Sequence, residues 1–193
     1  MLPVTVIVPT RNEALNIEKC LRSVSGWADQ VFVIDSESSD ETVVIARSYA
    51  KVYTLPYVHN RIIPWIFQWG LDHLPIRNDW VLILEADQEV SPELARELHE
   101  LLSRPAIEEN GFYIRRLQVF RGRPIRFGGY GSKWMLKLFR RSAAELGPLE
   151  EDTRVYVRGK VGKLRAPIVE HNLKENRIIF YMEKHVRYGE ALA

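Results

Sequence analysis

The sequence predicts an α/β fold with a mostly parallel central sheet flanked by helices. Three observations carry that expectation. Residues 4–8, 30–34 and 80–84 are short apolar or β-branched runs of the kind buried on both faces in a parallel sheet. Segments with apolar residues at helical spacing lie between them, as right-handed βαβ units require. Acids follow the strands, Glu13 after the first, Asp35 after the second and the pair Glu85/Asp87 after residues 80–84. That is the carboxyl edge, where open α/β sheets bind their ligands.

The elements follow in order. Strand one (4–8) is closed by Pro9-Thr10-Arg11-Asn12-Glu13, and residues 14–24 place Leu15, Ile17, Cys20, Leu21 and Val24 largely on one helical face. Strand two (30–34) ends at Asp35. Ser38 with Glu41 three residues on forms a capping box for a helix reaching Tyr49. Residues 52–55 are a third strand, and the aromatic-rich stretch 62–74 is a helix. After the strand at 80–84, Ser91 as cap and Pro92 in the first turn open a helix carrying Leu94, Leu98, Leu101 and Leu102. Beyond Asn110 the chain becomes Arg/Gly-rich and strand-like, at 111–120, 135–140 and 154–164, before a final helix at 175–188. With 193 residues, no repeats and no clear linker, one domain is expected, with 1–109 and 110–193 as its two functional halves.

Charge divides the halves. Residues 1–100 carry 8 Lys/Arg against 15 Asp/Glu, and residues 101–193 carry 19 against 10. From 110 to 144 there are nine Lys/Arg and no acid. The front half suits a cation-assisted nucleotide site and the back half a surface for anions. The basic run is interleaved with aromatics that could stack on bases or sugar rings; the acidic pocket beside it favours sugars and sets nucleic acid aside. The single cysteine, Cys20, excludes an internal disulfide framework, points to a reducing compartment and reads as a packed core thiol. No secretory leader opens the chain and no apolar stretch is long enough to span a membrane.

The chemistry concentrates at Glu85-Ala86-Asp87. Two carboxylates one residue apart at a strand end share a face and can converge on a hard cation such as Mg²⁺ or Mn²⁺, with a nucleotide diphosphate completing the shell. No Gly-x-Gly-x-x-Gly follows strand one and no Gly-x-x-x-x-Gly-Lys-Ser/Thr occurs, which counts against dehydrogenases and P-loop NTPases.

Residues 4–13 (VTVIVPTRNE), 31–42 (VFVIDSESSDET) and 80–94 (WVLILEADQEVSPEL) together resemble the signature segments of family 2 glycosyltransferases, inverting enzymes of the GT-A (nucleotide-diphospho-sugar transferase) fold. The resemblance implies that Pro9, Thr10, Arg11, Asn12, Glu13 and Asp35 line the nucleotide-sugar pocket. Asp35 has a structural alternative as an Asx turn before Ser38. Glu85-Ala86-Asp87 matches the Asp-x-Asp motif with Glu in place of the first Asp, leaving Asp87 as the direct metal ligand and Glu85 as a less direct contact. Many relatives carry an acid where this chain has Gln88.

The back half resembles small non-processive members acting on lipopolysaccharide-core or lipid-linked glycans, through residues 128–141 (GGYGSKWMLKLFRR), 159–164 (GKVGKL) and His171. An acid between these landmarks would be the general base, with Glu151 favoured over Asp152 and Glu150. Lys133, Trp134 and His171 are candidate acceptor or phosphate contacts. The absence of Gln-x-x-Arg-Trp implies transfer of a single sugar. The expected partners are a nucleoside diphosphate sugar, UDP-linked by preference, a saccharide or lipid-linked acceptor, and an anionic membrane surface for a peripheral cytoplasmic protein. Two rivals stand beside this reading: a sugar-1-phosphate nucleotidyltransferase, and a non-catalytic nucleotide-sugar sensor.

Overall fold

The run at the amino terminus becomes β1 (Leu2–Thr10), buried along its length except at Pro3. In this computed structural model residues 1–57, 63–127, 133–146 and 155–191 are described. β1 pairs in parallel with β2 (Ala28–Asp35) on one side and β4 (Trp80–Ile83) on the other, and β2 pairs in parallel with β3 (Lys51–Thr54). The connections run through α1 (Ile17–Ser25), α2 (Thr42–Ala46) and α3 (Ile63–His73). These are the βαβ units expected from the alternation of patterns.

The sheet then continues into the back half. β8 (Trp134–Arg140) runs antiparallel to β4, and β6 (Gly111–Phe120) antiparallel to β8. β12 (Ile168–Glu170) lies parallel to β6, and β5 (Gln88–Val90) closes the edge antiparallel to β12. The order is therefore β3-β2-β1-β4-β8-β6-β12-β5, with β7 (Arg123–Pro124) and β11 (Val161–Lys163) also paired to β6. β9 (Ala144–Leu146) and β10 (Val155–Val157) form a separate antiparallel pair.

Strand alternation divides the core into two layers. Val4, Val6, Val8, Leu82 and Leu84 pack with Ile17, Cys20, Leu21 and Val24 of α1 and with Leu94, Leu98 and Leu101 of α4 (Pro92–Leu102). Ile7, Phe32, Ile34, Val81, Ile83 and Phe139 pack on the opposite face with Phe67 and Leu71 of α3. α3 approaches closely through Gly70, where an added Cβ would lie 2.8 Å from Ile34 Cδ1.

Several sequence expectations need correction. Leu15 is 63% exposed, because α1 begins at Ile17 rather than at residue 14. The capping box of Ser38 and Glu41 does not form. α2 starts at Thr42 and ends at Ala46, short of Tyr49, and Ser38 spends its hydroxyl on Asp35 and on the Asn12 N–H. Local side-chain bonds of this kind compete with helix formation. The run 154–164 splits into β10 and β11 around Gly159, whose φ of +97° breaks the strand. The last helix, α5 (Ile178–Ala191), starts three residues later than expected, after a 3₁₀ turn at Leu173–Asn176 capped by Asn172. Ser91 caps α4 as anticipated, accepting the Leu94 N–H at 3.2 Å.

Candidate active site

The acids meet at the carboxyl end of β4. Glu85 and Asp87 do not alternate on a strand, as the sequence suggested; β4 ends at Ile83, and a turn closed by Gln88 N–H donating to the Glu85 carbonyl at 2.9 Å carries both. They converge nevertheless, and with a third acid. Carboxylate oxygens of Glu85, Asp87 and Glu170 all lie within 4.8 Å of one another. Glu170 arrives on β12, opposite Gln88 in the antiparallel register with β5.

Gln88 explains its own identity. Its side-chain oxygen accepts the Glu85 N–H at 3.2 Å, and its amide nitrogen donates to Glu170 Oε2 at 2.9 Å. An acid at this buried position could not donate to Glu170 when ionised, whereas an amide does both. Beyond Glu170, the His171 N–H donates to the Asp87 carbonyl at 2.9 Å. Sequence reasoning stopped at His171 and missed Glu170. The usable signal was Ile168-Val169-Glu170, β-branched residues ending in an acid, the same pattern that ends β2 at Asp35.

Two cations from the basic run reach these acids. Lys137 on β8, 6% exposed, places Nζ 3.0 Å from Glu85 Oε1. Arg116 on β6 sets a guanidinium nitrogen 3.2 Å from Glu170 Oε2. The Lys137 ammonium holds the Glu85 carboxyl below the usual carboxylate range against the upward push of burial. The donor set is made of carboxylate oxygens, which fits Mg²⁺ or Mn²⁺. The nearby sulfur does not compete. Burial pushes the Cys20 thiol far up, so it stays protonated while its S–H donates to the Glu85 carbonyl at 3.5 Å.

The expected nucleotide-binding loops are laced to one another beside this cluster. Asn12, at a φ of +54°, gives its N–H to Ser38 Oγ at 2.8 Å and accepts the Ser39 N–H on Oδ1 at 2.8 Å. Glu13 N–H donates to Thr42 Oγ1 at 2.7 Å, and Ala14 N–H to Asp40 at 3.2 Å. Asp35 is buried and accepts the Ser38 N–H at 2.9 Å and the Ser38 hydroxyl, and it caps no helix, since α2 starts only at Thr42. Pro9 lies within β1 opposite Ile34, and the Arg11 guanidinium sits 3.1 Å over the Tyr57 ring. Thr10 Oγ1 is buried with no hydrogen-bond partner among the described residues.

The segment after β12 fastens these loops to the acids. Lys174 Nζ pairs with Glu13 Oε1, and Asn16 Nδ2 donates to Glu13 Oε2 at 2.7 Å and to Asn172 Oδ1 at 3.1 Å. Leu173 N–H donates to Asn16 Oδ1 at 2.9 Å. Glu170, His171, Asn172 and Lys174 thus touch the acidic turn and the loop after β1 together. His171 Nε2 is buried without a partner among the described residues, and burial, aided by Lys19, lowers its pKa. The ring is neutral at neutral pH.

Lys133 and Trp134 begin the stretch that carries Lys137. The Lys133 carbonyl accepts the Arg116 N–H at 2.9 Å, and the Trp134 ring, 37% exposed, takes the Lys163 ammonium at 5.0 Å. Neither is brought to the acids by a described contact. The general-base candidates Glu150, Glu151 and Asp152 lie outside the described residues.

Comparison with known proteins agrees with this architecture. A profile of glycosyl transferase family 2 matches residues 5–146. An uncharacterized glycosyltransferase of Rickettsia bellii is 38% identical over 101 residues, covering 52% of this chain and 33% of the relative. The 4,4'-diaponeurosporenoate glycosyltransferase of Staphylococcus haemolyticus is 35% identical over 100 residues, 49% of this chain and 26% of that one. This chain spans about a third of the length of the curated relatives it matches first. Among solved structures, S. aureus TarS is similar in fold at 16% identity, with a TM-score of 0.63 over 93% of this chain and 39% of that one. The fold is the GT-A arrangement, and with the profile matching well over half of its residues, the chain belongs to glycosyl transferase family 2.

Proposed function

We propose that this chain carries out inverting transfer of one sugar from a nucleoside diphosphate sugar, UDP-linked by preference, to a saccharide or lipid-linked acceptor. The observation that supports this best is the meeting of Glu85, Asp87 and Glu170 at the sheet edge, beside the loops that follow β1 and β2. In this reading residues 1–109 are the donor half and 110–193 the acceptor half of a single domain. Pro9 to Glu13 and Asp35 bound the nucleotide-sugar pocket, with Ala86 in the turn between the acids.

Asp87, with Glu85 beside it, would hold the divalent cation. Bound there, Mg²⁺ or Mn²⁺ would supply Lewis-acid neutralisation of the charge that grows on the departing diphosphate. The protein's own groups do the remainder. Lys137 and Arg116 add positive charge at the same edge, and His171, neutral and short of a partner, offers its ring to phosphate. Glu151, ahead of Asp152 and Glu150, takes the proton from the acceptor hydroxyl, whose oxygen attacks the anomeric carbon opposite the diphosphate. An α-linked donor then gives a β-linked product.

The acceptor side carries an exposed apolar stripe on α5, with Ile178, Ile179, Met182 and Val186 each more than half exposed, together with the basic run. Both suit an anionic membrane surface and a peripheral, cytoplasmic location. Among the described residues no helix is long and apolar enough to cross a membrane.

The test is release of nucleoside diphosphate from a panel of nucleotide sugars with Mn²⁺ or Mg²⁺ and glycan acceptors, with the product anomer read by NMR. Glu151→Gln is expected to lower turnover by about 10²–10⁴ with donor binding kept, the range for general-base catalysis. Tight nucleotide-sugar binding without turnover on any acceptor would favour the sensor reading. A donor anomer retained in the product would overturn inversion.

A further inference from the structure

The acidic turn is nearly neutralised from within. Glu85, Asp87 and Glu170 bring three negative charges, and Lys137 and Arg116 return two positive ones. The cations are not surface strays. The Lys137 side chain is 8% exposed and the Arg116 side chain 14% exposed, each on a strand of the central sheet. Removing buried carriers of charge from water is costly unless they are paired, so these positions tie the acids and bases to each other.

The arrangement also leaves donor capacity unused. Arg116 Nε is buried with no hydrogen-bond partner among the described residues. An ammonium has three N–H donors, and Lys137 is shown using one on Glu85. A built-in pair of cations with spare donors beside a carboxylate cluster is suited to accept an anion while releasing an acid.

We propose that Lys137 is a resident counter-ion that withholds Glu85 from a divalent cation until a diphosphate takes the ammonium. Without nucleotide, Glu85 and Glu170 are already held by Lys137 and Arg116, so a divalent ion binds weakly at the turn. When a nucleoside diphosphate arrives, its oxygens accept the Lys137 N–H donors, and Glu85 turns to the cation. Loading of the two ligands is thereby coupled, each raising the affinity of the other by the same factor. No bond is made or broken; the step exchanges one anion for another on Nζ. The inference rests on the donor-site reading above and adds Lys137 as the residue that couples the loading of the two ligands.

The experiment uses the intact chain and Lys137→Met, with Mn²⁺ binding followed by loss of the free-ion EPR signal, alone and with UDP. In the parent, Mn²⁺ alone is expected to bind weakly and UDP to tighten it. In Lys137→Met, Mn²⁺ alone should bind about ten-fold tighter or more, the scale expected when a unit charge a few ångströms from a divalent ion is removed. The tightening by UDP should shrink with it. Lys137→Arg keeps the charge and should keep weak binding of Mn²⁺ alone. Far-UV circular dichroism and melting confirm that each variant is folded. A folded Lys137→Met that binds Mn²⁺ no tighter than the parent, while UDP still tightens it fully, overturns the role of Lys137 and leaves the donor site standing. If UDP fails to tighten Mn²⁺ in the parent itself, the donor-site reading fails and the exchange fails with it.

Discussion

Residues 1–109 hold their acids where parallel strands end, whereas residues 110–193 hold their bases along strands that run beside and against them. In the front half, backbone N–H groups of one loop are bonded to side chains of the next: Asn12 to Ser38, Glu13 to Thr42, Ala14 to Asp40. In the back half, polar side chains reach across instead, Lys137 to Glu85 and Lys174 to Glu13, while Arg116 pairs with Glu170 inside that half. The first kind of bonding fixes the shape of a pocket. The second fixes its charge. The candidate site is therefore a joint product, and the opposite net charges of the two halves have a structural outlet in the Lys137–Glu85 and Lys174–Glu13 pairs.

Breaking the seam between the halves should cost most. Phe139, fully buried on β8 and packed with Val81 and Ile83 of β4, is predicted to cost about 3–5 kcal/mol on Phe139→Ala, read by chemical denaturation. A loss below about 1 kcal/mol would mean that the halves do not depend on that packing. Next is the Arg116–Glu170 pair. Arg116→Met leaves a buried carboxylate without its cation and should cost about 3 kcal/mol, and Glu170→Gln added to it should restore much of the loss. Equal losses in the single and double variants would show that the pair is not the reason.

Ser91→Ala removes the cap of α4, together with the Ser91 hydroxyl's 3.3 Å bond to the Pro167 carbonyl, and should cost about 1 kcal/mol. It should leave the ion pairs untouched, and so Mn²⁺ binding unchanged. The smallest effect concerns pH. The folded pKa of His171 is lowered by burial and Lys19, with Glu89 acting in the opposite direction. The unfolded chain therefore takes up a proton that the folded one resists, and stability falls as pH drops below the ordinary histidine value of about 6.5. His171→Gln should make the stability profile shallower between pH 7 and 5; an unchanged slope would remove His171 as its source.

Much of the fold was legible because it rests on local pattern. The β-branched runs, the spacing in α1 and the Ser91-Pro92 start are short-range signals that tertiary structure left in force. The failures are where distant groups prevailed. Ser38 and Glu41 have the letters of a capping box, yet Asp35 and Asn12 compete for Ser38 from outside the helix. β5 and β12 are three residues each, too short for periodicity to register, and they exist because they pair with one another. For the site, Glu85 and Asp87 were readable as a motif, and Gln88 stood out as a departure. Lys137 and Arg116 were not, since each acquires its role from a partner far away in sequence, and Glu170 offered only the short β-branched run before it. Glu170 lies beyond residue 146, where the family profile ends.

The central claim is that the acidic turn and the loops beside it form a metal-dependent nucleotide site. Thermal melting of the intact chain against UDP, GDP and the other nucleoside diphosphates, each with and without Mn²⁺, tests it most directly. A ligand at about 100 times its Kd that binds only the folded chain adds about 2.7 kcal/mol, easily seen as a rise in Tm. The account predicts such a rise for UDP with Mn²⁺, a smaller one without the metal, and in Asp87→Ala only that smaller rise whether or not Mn²⁺ is present. A Tm indifferent to every nucleotide, or a metal-dependent rise that survives Asp87→Ala, would contradict it.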